Sequence, residues 1–181
     1  MRRSIVALAA LLWLAGSVEA ADSLSKVKVG VLKLTSSAVL FLGVEKGFFK
    51  EYGIEPELVF FQAAAPIATA LAAGQIEVGA TGITAALFNI VLGGEKLWIV
   101  ADKGREWPGY PLTAIVVQKA LWEAGLRTPA DLKGKRVGVT QLGSTFHYHL
   151  GNILEKEGLG LADVKVVPLQ AMPAVMEALK G

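Results

Sequence analysis

The 181-residue chain contains no cysteine and only two histidines. Without cysteine it has no disulfide bonds, no cysteine nucleophile and no N-terminal cysteine for lipid attachment. The catalytic patterns G-x-S-x-G, Gly-Lys-Ser/Thr at the end of a phosphate loop, and H-E-x-x-H are also missing. These absences favour a binding protein over an enzyme, and we expect no catalytic residues, no metal and no other cofactor.

An excess of positive charge is missing as well. The 18 lysines and arginines are nearly balanced by 16 aspartates and glutamates, for a formal net charge of +2 at pH 7. A nucleic-acid-binding domain usually has a strongly basic face. We therefore expect no nucleic-acid partner.

The N-terminus has the order of segments that a secretory signal peptide needs. Arg2 and Arg3 precede an apolar stretch at 5–15, and small residues follow up to Ala20. A membrane-spanning helix needs about 20 apolar residues, roughly twice this stretch. We predict that residues 1–20 are a signal peptide removed on export, and that the mature protein is periplasmic and not membrane-spanning.

Short β-branched runs alternate with longer helical stretches after the N-terminal segment. Such alternation is typical of parallel βαβ units with right-handed crossovers, so we predict an α/β fold. The predicted strands cover 27–32, 55–61, 77–80, 97–102, 112–118, 136–140 and 164–167, and the predicted helices cover 38–50, 66–73, 84–92, 144–157 and 172–180.

A weak internal repeat links the two halves of this pattern. Segment 66–74 is loosely matched by 173–181, and both copies end in glycine. A strand at 77–80 follows the first copy, whereas the sequence stops after the second. A final helix without its next strand leaves a sheet edge open. We expect the chain to be cut short, with its second set of units incomplete.

Three short polar junctions follow predicted strands, at 35–37, 81–84 and 143–145. Ligands of open parallel sheets bind beyond the carboxyl ends of the strands. Each junction offers hydroxyls and backbone amides at a helix start, where the helix dipole favours negative charge. Together they predict a clamp for a small anion. The candidate ligand-binding residues are Thr35, Ser36, Gln62, Gly82, Ile83, Thr84, Gly143, Ser144 and Thr145.

Each junction also has a purely structural interpretation. Serine and threonine before a helix are most often ordinary caps, so one junction alone does not indicate a ligand. The anion-binding hypothesis therefore requires that each of the three junctions lie at the carboxyl-end edge of its own sheet.

His147 and His149 are two residues apart and point to different faces of one helix, so we expect no shared metal site. His147 either borders the cleft or is a partly buried structural histidine.

Three segments resemble a known family of exported proteins. They read FLGVEKGFFK at 41–50 with YGIEPE at 52–57, ALAAGQIEVG at 70–79, and DLKGKRVGV at 131–139. These segments are similar to the signature of nitrate/sulfonate/taurine-type periplasmic substrate-binding proteins of ABC transporters, a family that includes binders of thiamine-precursor pyrimidines. The resemblance extends over almost all of the chain after residue 20.

The resemblance implies the type II periplasmic-binding-protein fold, with two lobes that close on a solute. The first lobe would span 21–112 and the second, partial, lobe 113–181. In the family the ligand lies between the lobes, against loops that correspond to 35–36, 82–84 and 143–145. The implied partners are a small solute and the permease and ATPase subunits of an ABC importer, and we expect a monomer.

Two other functions remain as alternatives. The same fold resembles a pyrimidine-synthesising enzyme in which a cysteine-rich motif and a histidine take part, but this chain has no cysteine. A sensor lobe that reports a solute to a separate membrane partner is the second alternative.

Overall fold

A computed structural model describes residues 24–180. The predicted signal peptide at 1–20 lies outside these residues. None of the helices between residues 24 and 180 has the length and apolar character that a membrane span requires.

The first half contains a three-stranded parallel sheet in the order β2-β1-β3. The central strand β1 pairs along its whole length with β2, from Ser25 opposite Ile54 to Leu32 opposite Phe61. The strands are β1 (Ser25–Leu32), β2 (Ile54–Phe61) and β3 (Val78–Ala80), and the helices are α1 (Ala38–Glu45), α2 (Ala64–Ala72) and α3 (Ala85–Leu92).

The second half contains a two-stranded parallel sheet. Its strands are β4 (Arg136–Val139) and β5 (Lys165–Pro168), and its helices are α4 (Lys119–Glu123), α5 (Thr145–Lys156) and α6 (Met172–Ala178). Short 3-10 turns lie at Thr35–Ser37, Lys50–Tyr52, Pro129–Leu132 and Leu161–Asp163. The predicted α/β fold with parallel strands is confirmed.

Each half has its own hydrophobic core. In the first half Ile67, on α2, is fully buried beside Leu32 and Ile76. In the second half Leu154, on α5, is fully buried beside Leu150 and further apolar residues of the same half. The two cores share no residue. They fall within the predicted lobes 21–112 and 113–181, whose boundary stays a prediction.

Two predicted strands are wrong. The segments 97–102 and 112–118 contain neither a helix nor a strand. Trp98 is 84% and Val100 86% exposed. β-branched composition favours an extended backbone, but a strand also needs a neighbour to pair with, and no strand within residues 24–180 pairs with either segment.

Two expectations about burial are also wrong. The sequence at 77–80 predicts a short buried strand, but Val78 in β3 is 41% exposed. The FLGVEKGFFK segment predicts Phe48 and Phe49 as buried anchors, but Phe48 is 54% exposed. Its neighbour Phe49 is the ring that packs inward, because a Cβ at Gly43 would lie 2.7 Å from it. Glycine at position 43 therefore leaves room for this ring.

Candidate ligand-binding site

The predicted junctions of the first half leave one edge of the sheet. Val31 of β1 pairs with Ala80 of β3, and Leu32 pairs with Phe61 of β2. Because the three strands are parallel, the turn Thr35–Ser37, Gln62 and the turn at 81–84 all follow carboxyl ends at this edge. Gln62 and Thr35 are exposed, and Ser36 is half-buried.

The turn at 81–84 meets the turn at 143–145 of the second half. Thr145 Oγ1 donates a hydrogen bond to the carbonyl oxygen of Ile83 at 3.3 Å. The backbone N–H of Ala85 donates to the carbonyl oxygen of Gly143 at 3.0 Å. The approach is close enough that a Cβ at Gly82 would lie 2.5 Å from Thr145 Oγ1. The structure thus brings six of the nine candidate residues into one neighbourhood.

Two candidate hydroxyls cap helices. Thr84 Oγ1 accepts from the N–H of Leu87 at 3.3 Å at the start of α3. Ser144 Oγ accepts from the N–H of His147 at 3.2 Å at the start of α5. Both side chains are buried. The structural interpretation therefore holds for these two residues, but each hydroxyl keeps its own proton to donate to a ligand.

The two histidines have separate partners. Gly143 N–H donates to His147 Nδ1 at 3.0 Å, so in the neutral ring the proton is on Nε2. His149 Nδ1 lies 3.1 Å from Thr113 Oγ1. Among residues 24–180 no group of three or more His, Asp or Glu side chains is placed to hold a metal.

An open groove of about 730 Å³ lies between α3 and α5. Its lining includes the polar residues Thr84, Ser144 and His147 and the apolar residues Phe88 and Leu161. Glu155 is the one acidic residue in this lining, which contains no lysine or arginine. The groove is therefore large enough for a small molecule and offers it both polar and apolar surface.

Lys103 is a candidate residue that sequence reasoning missed. Its Nζ donates to Ser36 Oγ at 3.0 Å and to Ser37 Oγ at 3.4 Å. Lys103 is half-buried, Ser37 is fully buried, and burial lowers the pKa of the lysine. The only sequence signal is the position of Lys103 just after the apolar run 97–102. Its hydroxyl partners are more than sixty residues away in the chain.

Asp102, the residue before it, has a local role instead. Its Oδ1 accepts from the N–H of Gly104 at 2.8 Å, which stabilises the loop. The carboxylate is thus used by the backbone two residues further on.

The family model for NMT1-like proteins matches residues 20–180. The chain belongs to the NMT1-like family. Relatives from Brucella abortus (strain 2308) and Brucella suis biovar 1, named as candidate binding proteins, are each 26% identical to this chain over 175 residues. The match covers 96% of this chain and 50% of each relative, so the chain spans about half the length of the curated relatives it matches.

Solved structures confirm the fold of this NMT1-like chain. The alkanesulfonate-binding protein SsuA from Xanthomonas axonopodis pv. citri, bound to MOPS, has a TM-score of 0.60 at 26% identity, and the match covers 84% of this chain and 50% of that one. A structure from Bordetella bronchiseptica RB50 has a TM-score of 0.58 at 23% identity, covering 86% and 48%. The periplasmic aliphatic sulphonate binding protein SsuA from Escherichia coli has a TM-score of 0.54 at 23% identity, covering 85% and 50%.

These matches confirm the resemblance to sulfonate-type periplasmic binding proteins. The named relatives and the SsuA structures are binding proteins rather than enzymes. The nine candidate ligand-binding residues stay predictions.

Proposed function

We propose that this protein is the periplasmic solute-binding component of an ABC importer, and that it delivers a small anionic solute, such as a sulfonate or nitrate, to a permease. The solute would bind where the turn at 81–84 meets the turn at 143–145. The observation that carries the proposal is the contact between these two turns, which follow parallel strands of separate sheets. Ligand would shift the protein toward the form in which the two halves close.

The comparisons support the solute class. The Xanthomonas SsuA structure holds a sulfonate, MOPS, in a fold that this chain matches over 84% of its length. The site also offers donors suited to an oxyanion, since the hydroxyls of Thr84 and Ser144 each accept from a helix N–H and retain a proton to donate. Export through the predicted signal peptide at 1–20 is part of the same proposal.

A thermal-shift panel tests the proposal. The purified, ligand-free protein is heated with ethanesulfonate, MOPS, nitrate, bicarbonate, acetate and a thiamine-precursor pyrimidine. Stabilisation follows RT ln(1 + [L]/Kd), about 2.7 kcal/mol at 100 times Kd. In a protein of this size that corresponds to a rise in Tm of roughly 5–11 °C. A rise with the pyrimidine alone would assign a different cargo, and no rise with any compound would contradict solute binding of this class.

A pair of glycine substitutions tests the location of the site. Ser144→Gly removes the hydroxyl donor but keeps most of the cap, because glycine at this position costs only a few tenths of a kcal/mol. Loss of one neutral hydrogen bond, about 0.5–1.5 kcal/mol, should raise Kd roughly 2- to 13-fold. The control is Thr128→Gly, which removes a hydroxyl that donates to the Asp131 carboxylate at the start of the Pro129–Leu132 turn, near the amino end of β4. Equal Kd values for both variants would exclude the 143–145 turn from the site.

A further inference from the structure

The segment that connects the two cores is anchored to the first half at Lys103. Its Nζ donates to Ser36 Oγ at 3.0 Å and to Ser37 Oγ at 3.4 Å. Both serines belong to the turn that follows β1, and Ser37 is fully buried. Two hydrogen bonds to a buried turn hold the lysine in place. The chain therefore stays with the first half as far as Lys103.

Glu106 closes the loop 106–113. One of its carboxylate oxygens accepts from the Thr113 hydroxyl and the other from the N–H of Leu112, both at 2.7 Å. These two hydrogen bonds lower the pKa of Glu106, so its carboxylate is ionised at neutral pH and can only accept. The two ends of the loop are thus joined through a single side chain.

Thr113 joins this loop to α5. Its Oγ1 lies 3.1 Å from His149 Nδ1. A hydroxyl has one proton, and Thr113 gives that proton to the ionised Glu106, so His149 must donate through an Nδ1–H. Thr113 and His149 are both half-buried, and Val117 packs against the core of the second half. The loop 106–113 is therefore anchored to the second half.

Gly104 and Arg105 lie between these two anchoring points. Both residues are exposed, and neither belongs to a helix or a strand. Gly104 has a φ of +153°, a conformation that residues with a side chain rarely adopt. The guanidinium of Arg105 lies 4.7 Å from the centre of the Trp107 ring, within the segment that leads into the loop. Rotation at Gly104 would therefore leave both anchoring points intact.

We propose that the chain passes from the first half to the second at Gly104 and Arg105, and that the loop 106–113 moves with the second half as one rigid piece. The hydrogen bonds of Thr113 to Glu106 and His149 hold that piece together. The inference places the change of half earlier in the chain than the predicted boundary between 112 and 113. It goes beyond the proposed function, because it concerns which residues move together whether or not a solute is bound.

Distance distributions between pairs of spin labels test which half the loop follows. The chain has no cysteine, so introduced cysteines alone set the label positions. Tyr110→Cys places a label on the loop, where the side chain is exposed and the backbone N–H keeps its bond to the Trp107 carbonyl. Glu57→Cys on β2 and Lys156→Cys on α5 place exposed labels on the first and second halves. In the ligand-free protein the pair at 110 and 156 should give a narrow distribution, and the pair at 57 and 110 a broader one.

Two substitutions at Thr113 test the anchoring. Thr113→Val removes the hydroxyl at nearly constant shape, so the distribution for the pair at 110 and 156 should broaden. Thr113→Ser retains a hydroxyl and should leave it narrow. An unchanged width in Thr113→Val would overturn the inference, as would equal widths for the two pairs in the parent protein. A broad pair at 110 and 156 beside a narrow pair at 57 and 110 would place the loop with the first half and overturn it too. No solute is present in these measurements, so the proposed function is tested separately by the thermal-shift panel.

Discussion

Replacing Gly82 with alanine tests whether the turn at 81–84 contacts the turn at 143–145. The added Cβ would lie 2.5 Å from Thr145 Oγ1 but 3.7 Å from Thr145 Cβ. The first distance is too short to persist and the second is an ordinary contact. Gly82 is not among the glycines with positive φ, so the backbone itself accepts alanine. The effect of Gly82→Ala therefore comes from the Thr145 hydroxyl alone.

The expected loss of stability follows from the hydrogen bond and the preferred rotamer that Thr145 loses. Thr145 has to rotate away and lose its hydrogen bond to the Ile83 carbonyl, worth about 0.5–1.5 kcal/mol. A strained rotamer adds about 0.5–1.5 kcal/mol. Gly82→Ala should thus lower the free energy of unfolding by about 1–3 kcal/mol. When Thr145→Ala has already removed the hydroxyl, the same change should cost almost nothing, since no close contact remains.

Urea denaturation of the unmodified protein, the two single variants and the double variant measures the coupling. The double variant should be more stable than the sum of the single effects predicts, by about 1–3 kcal/mol. Additivity within about 0.5 kcal/mol would show that the two turns are not in contact, and the site proposed at their meeting point would lose its basis.

Two further predictions concern the cores and the segment before α4. Ile67→Ala and Leu154→Ala each remove a fully buried side chain and should each lower the free energy of unfolding by about 2–5 kcal/mol in urea titrations; a loss under 1 kcal/mol would contradict the assigned core. Hydrogen bonds from the Thr113 hydroxyl and the Leu112 backbone hold the pKa of Glu106 below its usual value. Glu106 therefore stabilises the fold at any pH above its pKa in the unfolded chain, and this contribution is lost as the pH falls through its pKa in the folded protein. Thr113→Val should raise the Glu106 pKa in an NMR titration, and an unchanged value would refute the hydrogen bond.

Local patterns predicted most of the fold. β1, β2, β4 and β5 lie within about two residues of their predicted bounds, because alternating β-branched runs and the helix starts between them are set by neighbouring residues. Segment 97–102 has the same composition and was predicted as a strand. Pairing with a distant neighbour decides whether such a run becomes a strand, and composition does not encode that neighbour.

In the candidate site, too, features set by neighbouring residues were predictable and features set by distant contacts were not. Thr84 and Ser144 follow strands and precede helices, and their positions were predictable from that order. The contact between Thr145 and Ile83 joins residues 62 positions apart, and the contact between Lys103 and Ser36 joins residues 67 positions apart. Contacts between residues so far apart in the chain depend on how the two sheets are placed. Lys103 could therefore be recognised as a candidate residue only from the structure.

The exposed run at 97–102 has a consequence for the protein in concentrated solution. Trp98, Ile99 and Val100 are between 74% and 86% exposed, and no charge interrupts them. Their backbone is not engaged in a sheet within residues 24–180. An exposed apolar segment whose backbone is not paired is a template for strand pairing between molecules. Aggregation of this chain should therefore begin at Trp98, Ile99 and Val100, outside both hydrophobic cores.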